Sequence, residues 1–274
     1  MKYFLKTQWI WLVCFTLLTL TTITLLLVKT NYEVVTPAMI TDVEDYIHIE
    51  TEDDSEIDIN SVSVYGFANA SLFNYLFSKI NPFSNSEYLE SYYNTDQSYL
   101  VAQGQLHRQM SIDAAIASGY KAAGYDVNLV FHGYKVTSVL ANAKCDAMIG
   151  DIIISVEGIE LTTKRSFLDV IKQLYKEKHK TSFNYNYVRN GLTSSGLLTL
   201  YHLDKQAEEE GTYTPGIVTD AYYSIKSFEE GSPKYKTEHG GSIGPSGGLM
   251  QALYVYEKLT GAKLTEGLKI AGTG

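Results

Sequence analysis

Cysteine is nearly missing from this 274-residue chain: Cys14 and Cys145 are the only two, and no ligand-like neighbour surrounds either. A disulfide framework and a cysteine zinc site are therefore not supported. Basic residues are also scarce, 22 Lys and Arg against 31 Asp and Glu. Three of them, Lys2, Lys6 and Lys29, are the only charges in the first 29 residues, so the remainder carries 19 against 31, a balance of −12. That sign argues against nucleic acid as a partner, because phosphate binding relies on clustered Lys and Arg. No Walker A run occurs, so no ATP-coupled step is expected, and the acidic stretch from 42 to 58 lacks the glycine and spacing of a calcium loop. No cofactor or metal ion is expected. With 45% hydrophobic residues and no repeats, the chain suits one or two compact domains rather than disorder or a coiled coil.

Charge is absent altogether from the 22 residues between Lys6 and Lys29, whose centre is the run Trp9 to Val28. As a helix these would reach about 33 Å, enough to span a bilayer. The run ends Leu-Val-Lys-Thr-Asn rather than at small cleavage-site residues, which favours an uncleaved anchor over a signal peptide. Positive charge precedes it, and residues 30–60 hold ten acids and no Lys or Arg. The positive-inside rule then predicts a single-pass cell-membrane protein with a cytoplasmic N-terminus and everything after Thr30 outside.

Beyond the anchor, period-two alternation between Tyr32 and Tyr65 predicts short strands, broken at Pro37 and at Asp53-Asp54-Ser55. Leu72, Tyr75, Leu76 and Ile80 form a helical packing stripe before Pro82. Tyr99, Ala102, Leu106, Met110, Ala114 and Ala117 form a second, introduced by Thr95-Asp96 and stopped at Gly119 or Gly124. His107 and Met110 have no third ligand near them and read as packing residues. Residues 129–141 then predict a glycine-containing loop feeding a strand, followed by Gly150-Asp151-Ile152-Ile153-Ile154-Ser155-Val156-Glu157-Gly158. Ser166 opens a helix with Asp169 at its third position and Phe167, Val170, Ile171 and Leu174 on one face, and Arg189-Asn190-Gly191 turns a hairpin.

This GDxIxxVxG run, with a strand before and a helix after, resembles a PDZ domain over 126–205. The resemblance implies peptide capture: an extended segment adds as a strand beside Val136 to Leu140, walled by the Ser166 helix. Backbone N–H groups at His132, Gly133 and Tyr134 would receive a terminal carboxylate.

After Thr212 the chain becomes glycine-rich and reaches Gly244-Pro245-Ser246-Gly247-Gly248, then a helix with Leu249, Leu253 and Tyr256 on one face and Gly261 at its end. Glycines around a serine at a helix start allow close backbone approach and leave N–H groups for an oxyanion, although Ser is also a common cap. The pattern satisfies the G-x-S-x-G elbow of α/β-hydrolases, but no Asp or His follows Ser246, and His239 lies on the wrong side for that order. It also resembles the Ser-Lys dyad site of the Lon protease domain, and Lys269 to Gly274 resembles the strand following that helix. Anchor, PDZ module and GPSGG together are similar to bacterial membrane-anchored PDZ proteases with a Lon-like catalytic domain. The resemblance implies Ser246 as nucleophile, Gly247 and Gly248 as backbone of the oxyanion site, and protein or peptide substrates.

In that family the base lysine lies further on than the 28 residues that follow Ser246 here, and Lys263 and Lys269 do not match its position. A further departure is Gly247 where alanine is usual. The expected architecture is α+β and multidomain: a cytoplasmic tip and transmembrane helix (1–30), membrane-proximal strands and helices (31–125), a PDZ-like β-rich domain (126–205) and a partial Lon-protease-like α/β domain (206–274), the chain reading as C-terminally truncated. The alternative is a non-catalytic membrane-anchored protein whose PDZ module binds peptides.

Overall fold

A computed structural model describes residues 2–51, 57–238 and 247–272. In chain order, α1 (Lys2–Leu27) precedes β1 (Tyr32–Asp42), β2 (Ile47–Ile49), β3 (Ile59–Phe67), α2 (Leu72–Ile80), β4 (Asn85–Tyr88) and α3 (Gln97–Ala122). Then come β5 (Val127–Val139), β6 (Lys144–Cys145), β7 (Ile152–Val156), β8 (Ile159–Glu160), α4 (Phe167–Lys178), β9 (Ser182–Arg189) and β10 (Leu192–Thr199). The chain continues through α5 (Lys205–Glu209), β11 (Ile217–Phe228), β12 (Tyr235–Thr237), α6 (Gly248–Thr260) and β13 (Ile270–Gly272).

The α1 segment from Gln8 to Leu27 has a mean hydropathy of 2.3 and no buried residue, so by length and composition it is able to cross a membrane. Its threonines do not spoil that property. Thr16, Thr19, Thr21, Thr22 and Thr24 each donate their hydroxyl to the carbonyl four residues back, at 2.8–2.9 Å, leaving no polar hydrogen to water.

Contacts divide the chain into two compact units, residues 1–38 with 64–90 and residues 39–63 with 91–274. The stretch expected as one membrane-proximal segment, 31–125, is thus shared between them. In the first unit β4 pairs antiparallel with the start of β1, from Tyr32↔Tyr88 to Val35↔Asn85. Ser71 caps α2 by accepting from the Asn74 N–H at 3.2 Å. The expected stripe of α2 is split: Leu72 and Tyr75 are half-buried, whereas Leu76 and Ile80 face outward.

The second unit has two hydrophobic cores. One collects Val136, Ile153, Val156, Phe167, Val170, Leu174, Phe183 and Leu198 between α4 and a sheet ordered β11-β5-β7-β9-β10-β6. β11 pairs antiparallel with β5 over nearly its full length, Ile217↔Val139 to Phe228↔Val127. The sheet that begins in 126–205 therefore continues past residue 205, to Phe228.

The other core packs α3 on α6 with β2 and the start of β3, through Ile47, Ile59, Ile112, Ile116, Tyr120, Tyr254 and Val255. Asp96 caps α3 as the sequence suggested, accepting from Tyr99 N–H at 3.0 Å. Both expected faces are rotated, however. On α3 the buried residues are Ile112, Ala115, Ile116, Ala117, Gly119 and Tyr120, so of the expected stripe Ala117 is buried while Ala102 and Ala114 are exposed. On α6 they are Gln251, Tyr254, Val255 and Glu257, while Leu249 is exposed and Leu253 and Tyr256 are only partly covered.

The cause is one close approach. Gly119 does not stop α3; it lies inside the helix, where an added Cβ would stand 2.5 Å from Val255 Cγ1 and 3.1 Å from the Ala252 carbonyl. The missing side chain lets α6 turn Val255 and Tyr254 into the seam. Gly119→Ala is expected to lower the unfolding free energy by about 1–3 kcal/mol, the usual cost of overpacking, read as a lower midpoint in urea.

Candidate functional site

Each letter of the GDxIxxVxG run has a structural role. Ile153 and Val156 are fully buried on the core face of β7. Glu157 and Gly158 take φ of +51° and +75°, forming the two-residue turn between Val156↔Ile159 of β7 and β8. Glu157 is held there because its carboxylate accepts from Lys180 Nζ and the Asn184 N–H, and the same two partners keep it below the ordinary carboxylate range. Asp151, 1% exposed, accepts from Arg189 Nε and Nη2, both at 2.7 Å, and from the Met148 N–H at 2.8 Å. This fork pins the turn before β7 to the end of β9 and raises the guanidinium above its already high value. Sequence reasoning missed Arg189 as a partner, because 38 residues separate the two.

Downstream, Ser166 and Asp169 make the predicted reciprocal cap of α4, and Asn190 and Gly191 turn β9 into β10 with Arg189↔Leu192 in register.

The peptide edge expected at Val136 to Leu140 is not open. Val136 is fully buried, donates its N–H to the Asp151 carbonyl and accepts from the Gly150 N–H, both at 2.8 Å. The far side of the same stretch is taken by β11, with Thr219↔Val136 and Ile217↔Val139. Tyr134 pairs with Ile153 and sends its hydroxyl to the Thr162 carbonyl at 3.1 Å, and Gly133 is pressed so close to β7 that a Cβ would meet the Ile153 carbonyl at 2.5 Å. α4 covers a face of the sheet with Phe167, Val170, Ile171 and Leu174, which enter the core, while its Leu168 is 41% exposed.

Of the four expected residues, only His132 lines an open surface. The pairing of β5 with β7 ends at Tyr134, so Val127 to His132 has β11 on one side and no paired strand on the other among the described residues. Beside that edge lies a groove of about 480 Å³, lined by Phe131, His132, Ser155, Glu160, Leu161 and Asn186 among others. His132 Nε2 meets Ser224 Oγ at 2.6 Å, and Asn186 Nδ2 donates to Ser155 Oγ at 2.9 Å. Glu160 beside His132 makes the groove a poor receiver of a terminal carboxylate and better suited to an internal extended segment.

The second locus is the start of α6. Ser246 and His239 lie outside the described residues. Gly247 is the N-cap, with φ 176° and ψ −7° and, among the described residues, no side-chain hydrogen bond capping the helix, and Gly248 is its first residue. Both are crowded: a Cβ at Gly247 would stand 2.9 Å from Gln251 Nε2 and 3.3 Å from Ser61 Cβ, and one at Gly248 2.8 Å from Ser111 Oγ. That is a physical reason for glycine where the resembled family has alanine. Beneath it a buried polar chain runs from Gln251 Nε2 to Tyr46 Oη (3.3 Å) and on to Ser61 Oγ (3.2 Å). Gln251 Oε1 has no partner among the described residues. These residues escaped sequence reasoning because 205 residues separate Gln251 from Tyr46 and 15 separate Tyr46 from Ser61.

Neither nearby lysine suits a neutral base. Lys263 is exposed, and Lys269 lies 3.1 Å from Asp58, whose carboxylate is held low first by the Asn60 amide and then by Lys269. Among the described residues no cluster of His, Cys, Asp and Glu could hold a metal.

No protein-family model matches the chain, and no curated protein matches it. Among solved structures, the PDZ domain of an SdrC-like protein from Listeria monocytogenes matches 34% of this chain and 93% of its own length, at 22% identity and a TM-score of 0.26.

Arg189→Met would strand the Asp151 carboxylate in the interior. It is expected to cost about 3 kcal/mol of stability, as for other broken buried pairs, and adding Asp151→Leu should recover part of the loss, both read from urea midpoints.

Proposed function

We propose that this chain is a membrane-anchored serine endopeptidase of the Lon-like type, in which a PDZ-like module holds the substrate and Ser246 attacks it on the extracytoplasmic side. The observation that carries the reading is the start of α6. The GPSGG run leads directly into a helix whose first turn has no side-chain cap and whose two glycines lie flush against β3 and α3. First-turn N–H groups left in that way are donors suited to an oxyanion, and their dipole favours developing negative charge. The parallel pairing of β13 with β3, Ile270↔Ile59 to Gly272↔Ser61, supports the same reading, since it continues the order of helix then strand on which the resemblance rests.

Serine at its ordinary pKa is a weak nucleophile and needs a base within hydrogen-bond reach. In this reading a lysine kept neutral by burial, a role that neither Lys263 nor Lys269 fills, takes the Ser246 proton and later returns it to the leaving amine. Capture precedes chemistry: an extended segment lies along Phe131 and His132, adds its backbone to the open half of β5, and is held against Leu161.

A second reading, a membrane-anchored peptide binder without catalysis, is favoured by that same open edge, which needs nothing from α6, and by the ion-paired state of Lys269. The two separate cleanly. The natural protein, assayed in its host membrane on an unstructured protein substrate without ATP, is expected to cleave, and Ser246→Ala to abolish cleavage while binding persists. His132→Asp, which sets a second carboxylate beside Glu160, is expected to raise KM several-fold for neutral or acidic substrates with little change in kcat. Equal cleavage by wild type and Ser246→Ala would remove the peptidase reading, and unchanged KM in His132→Asp would remove the groove.

A further inference from the structure

An amphipathic helix of a soluble domain turns its apolar stripe inward. α2 turns it outward. Phe73, Leu76, Phe77 and Ile80, spaced i, i+3, i+4, i+7, are 47, 46, 50 and 81% exposed, and Phe83 just beyond Pro82 is 78% exposed. The helix is not loosely held. Its opposite face is fixed by Tyr75 against Tyr32, with ring centroids 4.5 Å apart, and by buried Ser78, whose hydroxyl donates to the Tyr75 carbonyl at 2.7 Å. Phe73 and Phe77 stack at 6.1 Å, so the outward stripe is an ordered surface.

The position of α2 is tied to the end of α1. The Leu72 N–H donates to the Val28 carbonyl at 2.8 Å, the Thr30 N–H donates to the Ala70 carbonyl at 2.9 Å, and Lys29 bridges to Ser71. The apolar span ends at Leu27, so α2 begins at the depth where α1 leaves the hydrocarbon. Nine helical residues reach about 13 Å, whereas the headgroup layer on one side of a bilayer is only about 5–8 Å thick. Standing upright, α2 would carry Ile80 and Phe83 into water. Lying along the surface, it sets the whole stripe at one depth.

Charge agrees with this. From Ile59 to Ser86 there is no Asp or Glu, in a chain with 31 of them, and the one charge is Lys79, which stands over the Tyr75 ring at 5.1 Å. A segment free of acids, with Lys79 on its helix and Lys29 beside the helix start, suits an anionic membrane.

We propose that α2 is an interfacial helix: Phe73, Leu76, Phe77, Ile80 and Phe83 insert between the lipid headgroups of the leaflet at which α1 ends, so that the protein grips its membrane at two points and its first unit is fixed against the bilayer surface. This rests on the reading of α1 as a spanning helix, and the test keeps the two apart.

The full chain is reconstituted into vesicles of phosphatidylcholine and phosphatidylglycerol, with and without lipids brominated near the headgroup end of the acyl chain. The natural indoles, Trp9 and Trp11, report on α1. A second protein carries Trp9→Phe, Trp11→Phe and Phe77→Trp, the last a change at a half-exposed position that leaves the buried face intact. The introduced indole is expected to lose fluorescence to the brominated lipids and to be shielded from aqueous iodide. Quenching of Trp9 and Trp11 by bromolipid, with the introduced indole open to iodide, overturns the interfacial helix while α1 stands. An introduced indole shielded from both quenchers means that protein covers the stripe, which overturns the proposal as well. Failure of bromolipid to quench Trp9 and Trp11 removes the spanning helix, and the proposal with it.

Discussion

The second unit depends on one pairing, the antiparallel ribbon of β5 and β11. Its far end, Val139 with Ile217, packs in the core under α4, and its near end, Val127 with Phe228, belongs to the core between α3 and α6. Neither core is closed without it. A ribbon this long twists, and three register shifts, at Val218/Thr219, Tyr222/Tyr223 and Ile225/Ser227, take up the bend. The bulge at Tyr222/Tyr223 faces Gly133 and His132, the place where β5 parts from β7. The same irregularity that lets one strand serve two cores therefore creates the unpaired edge beside the groove.

What was legible in the sequence was local. The capping box of Ser166 and Asp169, the Asn190-Gly191 turn, the Asp96 cap and the charge-free apolar helix each depend on residues near one another in the chain, and each is present. The identity of the strand beside Val136 is not local. Residues 217–228 alternate well enough to be a strand, but nothing in their spacing says which edge they fill, and they fill the one that had been reserved for a peptide. Pairing choices of this kind are settled by the cores the partners share.

The rotated faces of α3 and α6 follow the same logic at side-chain scale. Several apolar stripes could be drawn on either helix, because Leu249, Leu253 and Tyr256 are as apolar as Tyr254 and Val255. The selection comes from Gly119, which allows α6 close enough for Val255 to fill the gap left by a missing Cβ. α2 shows the converse. Its apolar stripe was read as packing surface because in water it would be; the structure turns it away from the protein, and only proximity to the end of α1 gives it an apolar medium to enter.

Tight packing also decides what the α6 start can do. A serine, threonine or aspartate at the N-cap would satisfy the first-turn N–H groups itself, which is the common way to end a helix. At Gly247 that choice is closed by Gln251 and Ser61, and at Gly248 by Ser111, each leaving less than a normal contact distance for a Cβ. The polar chain of Gln251, Tyr46 and Ser61 makes the crowding tolerable, because each of these three side chains has a hydrogen bond within it. Among the described residues the helix is thus left without a side-chain cap by the structure beneath it.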